Sequence, residues 1–278
     1  MANVKLSTKA VGSIVKIKVN GAAKDFIIVH QGLPSSAYDA SCNGVWVVMK
    51  DIYTTSTFGN NNSYKDSSIH SYLNSTFLNL FESNIKNAIK QVKIPYRKGH
   101  GTSTTVTSGS NGLSAKIFLL STTETSFSYS YMPRGEGAEL AYFKGCADNG
   151  SDSKRVAYLN GSATGWWLRS PGCNVTSNRA LVVGSAGTSG DTNCSSSRGI
   201  RPALILPSTL LVSDDGTVSV NTAPTVSTDG AALGQKNAAF AWKYTVRDAD
   251  GDTLTVTEKL DGKTTKARTG AASGTALT

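Results

Sequence analysis

Residues 166–171 read Trp166-Trp167-Leu168-Arg169-Ser170-Pro171, and residues 199–207 read Gly199-Ile200-Arg201-Pro202-Ala203-Leu204-Ile205-Leu206-Pro207. Both segments carry large apolar side chains in strand-like order. Between them Ala180-Leu181-Val182-Val183 predicts a short central strand. The two connections around it, 172–179 and 184–198, consist almost wholly of Gly, Ser, Thr, Asn, Asp, Cys and Arg. This pattern predicts a rigid strand frame that holds out two polar loops.

Binding residues concentrate on loops carried by a rigid frame, and hydroxyl and amide side chains supply adaptable hydrogen bonds there. The candidate ligand-binding residues are therefore Asn174, Thr176, Ser177, Asn178 and Arg179 on the first loop and Ser189, Asp191, Asn193 and Arg198 on the second. Arg169 and Arg201 stand in strand contexts near tryptophan. They read as structural cations, stacked on Trp166 or Trp167 or paired with a buried carboxylate, rather than as ligand contacts.

Working outward, Ser13-Ile-Val-Lys-Ile-Lys-Val19 alternates with period two. Asn20-Gly21, a favoured type I′ pair, joins it to Phe26-Ile-Ile-Val-His30 as a hairpin. Val45-Trp-Val-Val-Met49 predicts a third strand, and Thr-, Ser- and Asn-rich residues 54–66 a loop. Asp66 is a plausible N-cap for two or three short helices over 67–92, whose Phe77, Phe81, Ile85 and Ile89 share a face. Lys116-Ile-Phe-Leu-Leu120 predicts a buried strand, and 121–165 irregular structure with Tyr129, Tyr131, Tyr142, Phe143 and Tyr158 as satellite core. Asp215-Gly216 closes a hairpin over 210–220. After the linker Asn221-Thr-Ala-Pro224, two alternating runs, Phe240–Val246 and Thr253–Glu258, open an immunoglobulin- or cadherin-like β-sandwich too short to be complete. The expected organisation is an α+β domain over 1–220 with short helices, then a partial sandwich module over 221–278.

The 278 residues, 39% hydrophobic and 17% charged, suit one large domain or two unequal ones. No stretch approaches the roughly 20 apolar residues that span a bilayer, so membrane insertion is not expected. The N-terminal residues lack a signal peptide's apolar region, so no secretory leader is expected. The net charge of +9 falls almost entirely, +8, in residues 1–220. Its lysines are scattered along the sequence, with Lys93, Arg97 and Lys98 the nearest approach to a cluster. Nucleic-acid binders concentrate such charge in runs or on one face, so no nucleic-acid partner is expected. A diffuse positive field suits anionic cell-surface polymers.

The Trp167-Leu-Arg-Ser-Pro … Gly199-Ile-Arg-Pro-Ala-Leu pair, with Ile69-His-Ser-Tyr-Leu-Asn-Ser-Thr-Phe77 upstream, resembles an uncharacterised domain family of phage minor structural proteins and of surface proteins of gram-positive gut bacteria. The resemblance covers roughly residues 10–212. The tail, with Arg247-Asp-Ala-Asp-Gly-Asp252, looks like sandwich modules that follow such domains in phage tail proteins. The closing pattern is also similar to the end of C-type-lectin-like domains of the formylglycine-generating-enzyme type. Phage receptor-binding proteins diversified by retroelements use that frame, and 172–179 and 188–198 have the composition of their loops. The resemblance implies a C-type-lectin-like fold in a phage virion structural protein of a tail, fibre or neck appendage, made in the bacterial host cytoplasm. It would display a receptor-binding domain for a bacterial cell-surface glycan or protein, beside other virion proteins and further copies of itself. A purely architectural virion decoration is the alternative.

A cysteine-dependent enzyme of the formylglycine-generating type is a further alternative. It would need Cys173 and Cys194, near Arg179 and Arg198 but with no histidine beside them. The four cysteines, Cys42, Cys146, Cys173 and Cys194, otherwise read as free thiols, with a Cys173–Cys194 bridge as the other possibility. Neither they nor His30, His70 and His100 have zinc-ligand spacing. Asp248, Asp250 and Asp252 around Gly251 have calcium-like spacing, but a turn with solvated aspartates accounts for them without an ion. Glu136 and Glu139 read as a solvated loop. No catalytic residue, cofactor or metal is expected.

Overall fold

The computed structural model describes residues 3–99, 105–127, 135–147, 150–172, 178–228, 243–248, 250 and 253–277. Strand β1 (Ile14–Val19) buries Val15, Ile17 and Val19, the apolar half of its alternation. It turns at Asn20-Gly21 into β2 (Ala22–Gly32). Both turn residues have positive φ, 50° and 73°, as a type I′ turn requires. β3 (Gly44–Met49) is buried along its whole length beside β2. The chain then leaves this sheet, and β4 (Thr54–Ser56) joins a second one.

A helical run, α1 (68–80), starts as α-helix and finishes with a wider and then a tighter turn. Its N-cap is Ser67, whose hydroxyl accepts from the His70 N–H at 3.0 Å. The expected cap, Asp66, one residue earlier, instead accepts from the Ser63 hydroxyl at 2.6 Å. Ile69, Leu73 and Phe77 face the core. After α2 (Ser83–Ala88), the short strands β5 (Val92–Ile94) and β6 (Leu113–Ala115) pair with each other. β7 (Ile117–Phe118) follows.

Residues 166–206 supply five strands: β8 (Trp166–Pro171), β9 (Arg179–Val183), β10 (Ser189–Asn193), β11 (Arg198–Ile200) and β12 (Ala203–Leu206). They complete two five-stranded sheets, in the orders β7-β12-β3-β2-β1 and β10-β9-β8-β11-β4. The central strand of the second sheet is β8, not the Ala180–Val183 run.

Two strand pairs run on from one sheet into the other. β3 pairs with β12, and after the crossover β4 pairs with β11, both antiparallel. At the junction the Met49 N–H donates to Pro202 O at 2.8 Å and the Tyr53 N–H to Ile200 O at 3.0 Å. Arg201 sits there fully buried. Its Nε donates to Met49 O at 2.8 Å, its Nη2 to Lys50 O at 3.0 Å, and its guanidinium lies 4.9 Å from the Trp166 ring. This is the stacked structural cation expected of the Gly-Ile-Arg-Pro sequence.

The α+β, C-type-lectin-like expectation does not hold. Among the described residues strand outweighs helix, 42% against 12%, and the longest helical run has 13 residues. The molecule is β-rich, with many small sheets and one half-barrel. The expectation overweighted the helical period of 67–92 and missed strands with no apolar alternation. Thr54–Ser56 and Ser189–Asn193 both read as loop yet pair fully with neighbours, because pairing context outweighs intrinsic strand preference.

The main core draws on both sheets and on the helices, from Leu6 to Val218. A second, small cluster holds Val246, Leu254 and Leu277. In that tail β13 (Thr225–Thr228), β14 (Tyr244–Arg247) and β17 (Ala276–Leu277) form one sheet, and β15 (Leu254–Leu260) pairs with β16 (Lys263–Ala271). The two runs expected to open a sandwich therefore lie in different sheets, and residues 240–242 of the first are outside the described residues.

Gly44 marks a close approach of β3 to β12: a Cβ there would lie 2.6 Å from Leu206 O and 2.7 Å from Ile205 Cγ2. Gly44→Ala should destabilise the chain by about 1–3 kcal/mol through this overpacking. An unchanged thermal unfolding midpoint would contradict the close approach.

Candidate functional site

Six of the nine candidate ligand-binding residues are described; Asn174, Thr176 and Ser177 are not. The stretch 184–198 is not one continuous loop: residues 189–193 within it form strand β10, and Arg198 opens β11. β10 pairs with β9 in the register Arg179↔Asn193, Leu181↔Asp191 and Val183↔Ser189. Residues directly opposite one another share a face, so Arg179, Ser189, Asp191 and Asn193 come together. The hairpin tip is held by Gly187, where a Cβ would fall 2.2 Å from Asp152 O and φ is +77°. Only glycine fits that position.

On this face the Arg179 fork grips Asp191: Nε donates to Oδ2 at 2.6 Å and Nη2 to Oδ1 at 3.0 Å. Nη2 also donates to Asp191 O at 3.0 Å, and Nη1 reaches Asn193 Oδ1 at 3.5 Å. These bonds from Arg179 hold the Asp191 carboxyl below its usual range. β10 is the outermost strand of its sheet, so one of its two edges carries no paired strand. Every β10 side chain is polar or absent, and the strand is half-buried or exposed throughout.

Asn178 is exposed, and its carbonyl accepts from the Cys194 N–H at 2.7 Å. Arg198, also exposed, is not part of the cluster. It lies on β11, with β8 and β9 between it and β10 in the sheet.

A buried charge system lies under the hairpin's own support, β8. Arg169 is fully enclosed. Its Nη1 and Nη2 grip Glu124 at 2.5 and 2.7 Å, Nη1 also donates to Leu119 O at 2.9 Å, and Nε donates to Pro95 O at 3.0 Å. This is the buried-carboxylate pairing that the Arg169 context left open. Burial works against the charge, but Glu124, Glu136 and Tyr38 together outweigh it, so the guanidinium is held more firmly protonated than usual.

The Tyr38 hydroxyl donates to Glu124 Oε1 at 2.8 Å. Glu136, 3.7 Å from Arg169 Nε, accepts from the Arg97 N–H at 3.2 Å and from the Ser170 hydroxyl. Glu136 is therefore buried, not solvated, and its partner is Arg169 rather than Glu139, which is exposed and accepts from Ser126. Burial raises the Glu136 carboxyl despite Arg169 beside it.

Sequence reasoning missed Glu124 and Tyr38. A signal existed in Ser121-Thr-Thr-Glu124, the spacing of a capping box. The structure has both of its reciprocal bonds, Ser121 N–H to Glu124 Oε2 at 2.9 Å and Glu124 N–H to Ser121 Oγ at 3.1 Å.

Cys42, Cys146 and Cys194 are free, buried thiols, and burial pushes each up to about 11. At neutral pH such thiols are poor nucleophiles. Cys173 is outside the described residues. Asp248 is buried, and its Oδ1 accepts from the Asp250 N–H at 2.9 Å, closing the turn. Asp250 Oδ2 accepts from the Thr222 N–H at 2.5 Å. Asp252 is not described, and no group of three or more metal-ligating side chains occurs among the described residues.

The fold and this hairpin define a β-rich scaffold with a polar, arginine-braced edge. Residues 43–208 match the model of the family described as Domain of unknown function (DUF6273), and the chain belongs to that family. No curated protein and no solved structure matches the chain.

Two measurements check the electrostatics. Glu124→Ala strands a buried arginine and should cost about 3–5 kcal/mol of stability, whereas Asp191→Ala, on a half-exposed pair, should cost about 1 kcal/mol or less. Equal losses in chemical denaturation would refute this ranking. Because burial raises the folded Glu136 carboxyl above the ordinary carboxylate range, its favourable contribution is complete below the unfolded value, about 4.3, and is lost as pH rises through the folded value. Glu136→Gln should therefore gain on wild type from about pH 4.5 upward; a pH-independent difference contradicts the assignment.

Proposed function

We propose that the chain is a non-catalytic recognition module of a phage virion appendage. Its ligand is a bacterial cell-surface glycan or protein, met by the polar edge of the β9–β10 hairpin. The observation that carries this reading is the Arg179–Asp191–Asn193 cluster on an all-polar edge strand whose neighbours β9 and β8 are buried. A preorganised arginine fork with amide and hydroxyl groups beside it suits the hydroxyls and acidic groups of a glycan. The virion placement, other virion proteins as partners and assembly with further copies rest on the sequence resemblance. Weak single contacts repeated on a particle would gain avidity by orders of magnitude. The raised thiols weigh against the cysteine-dependent alternative.

The test is a binding screen of the full chain against bacterial surface glycans and whole cells. Arg179→Ala and Asn193→Ala should each weaken binding by roughly 10–100-fold, the range of a lost hydrogen bond to a charged group. Wild-type binding that both variants retain would move recognition off this face. Absence of any binding would favour the architectural decoration.

A further inference from the structure

The lysines that look scattered along the sequence are not scattered in space. Lys86 on α2 is touched by Lys116, whose ammonium donates to Lys86 O at 2.8 Å. Lys90, just past α2, donates to Asn43 O. Two residues before Asn43, the Ser41 hydroxyl accepts from the Lys93 N–H at 3.0 Å. Lys93 on β5 lies opposite Ser114 on β6, and Lys116 stands two residues beyond Ser114. These contacts bring the four lysines onto one patch around α2, β5 and β6.

Each ammonium is anchored by a neutral oxygen. Lys86 uses Asn79 Oδ1 at 3.2 Å, Lys93 uses Ser110 O at 2.9 Å, and Lys90 and Lys116 use the carbonyls above. None of the four makes an ion pair among the described residues. Two acidic groups belong to the same region: Glu82 lies 3.4 Å from Lys18, and Asp39 accepts from the Ser41 N–H at 2.9 Å and feels the charge of Lys93. Burial and the charge of Lys86 both lower the Lys116 ammonium, in keeping with unrelieved repulsion.

We infer that this face binds a flexible polyanion carrying repeated phosphate or sulfate groups. The residue types argue for a polymer without bases. All four cations are lysines, point charges that lack the bidentate fork used on base edges. Single-stranded nucleic acid also calls for exposed aromatic platforms, and the residues of α2, β5 and β6 include no aromatic side chain. Lys93 is exposed and Lys86, Lys90 and Lys116 are half-buried, and an ammonium has three donors, so each head has donors beyond the one used. The inference does not use the hairpin site, so either can fail alone.

The experiment measures binding of the full chain to long-chain inorganic polyphosphate and to dextran sulfate at several salt concentrations. Lys86→Gln/Lys90→Gln/Lys93→Gln should bind at least about tenfold more weakly. Its plot of log affinity against log salt should be shallower by about 2, at about 0.7 per contact on a single-stranded polyanion. The matching triple arginine variant should bind as wild type does, and so should Lys5→Gln/Lys24→Gln/Lys263→Gln, which removes the same charge elsewhere. Preference between the two polymers separates phosphate from sulfate as the natural group. Equal loss in the two glutamine triples would reduce the effect to net charge and overturn the inference. So would absence of binding by wild type at low salt, or tighter binding of single-stranded DNA with the same lysine dependence. Arg179→Ala should leave polyanion binding unchanged.

Discussion

A guanidinium with no access to water has to find its counter-charge inside the protein, and Arg169 organises the molecule around that requirement. Desolvating a cation costs several kcal/mol unless an anion and further acceptors meet it with good geometry. Here one carboxylate, Glu124, and two carbonyls, Leu119 O and Pro95 O, do so from two separate stretches of chain. The irregular 119–127 segment is therefore pinned to β8 without being a strand. Tyr38 and Glu136 extend the same system, so the described stretches around 119–127 and Glu136 are held to β8 by charge.

Arg201 solves a different problem. β3 and β12 each leave one sheet for the other at the same place, where regular pairing is interrupted and carbonyls are exposed to the interior. Its guanidinium caps two of them, Met49 O and Lys50 O, while its face rests on Trp166. Burial lowers this arginine to about 10, still well above neutral, so the cap remains charged. One arginine thus neutralises an acid, and the other seals a crossover with the Trp166 ring against its guanidinium.

What was legible in the sequence follows from this. Period-two alternation and Asn20-Gly21 located β1 and β2, and the Trp-Leu-Arg and Gly-Ile-Arg-Pro segments were read correctly as frame with structural arginines. The sheet count was not legible, because β4 and β10 have no apolar side chains to announce them; their partners decide their state. Which carboxylate served Arg169 was also hidden. Glu136 stands in a stretch rich in glycine and looks solvated, although its surroundings in space are protein. At the candidate site, Arg179, Ser189, Asp191 and Asn193 were picked out by composition alone, but only the strand register brings them onto one face. Arg198 shares their composition and not their place.

The form of β10 bears on what a hairpin like this can be used for. A strand with no buried apolar side chain contributes little to the core, so its outward residues can change at little cost to folding. An exposed polar edge also resists pairing with other chains, because charge and a glycine disfavour a flat, apolar template. What remains constant is beneath it: β9 is buried on both faces, Gly187 locks the tip, and Arg169 anchors β8. Recognition surfaces need this division, a floor whose geometry is over-determined and an upper layer whose chemistry is free. The division exists here within a single cross-strand pair, between Leu181, enclosed by the core, and Asp191 directly opposite it, braced by Arg179.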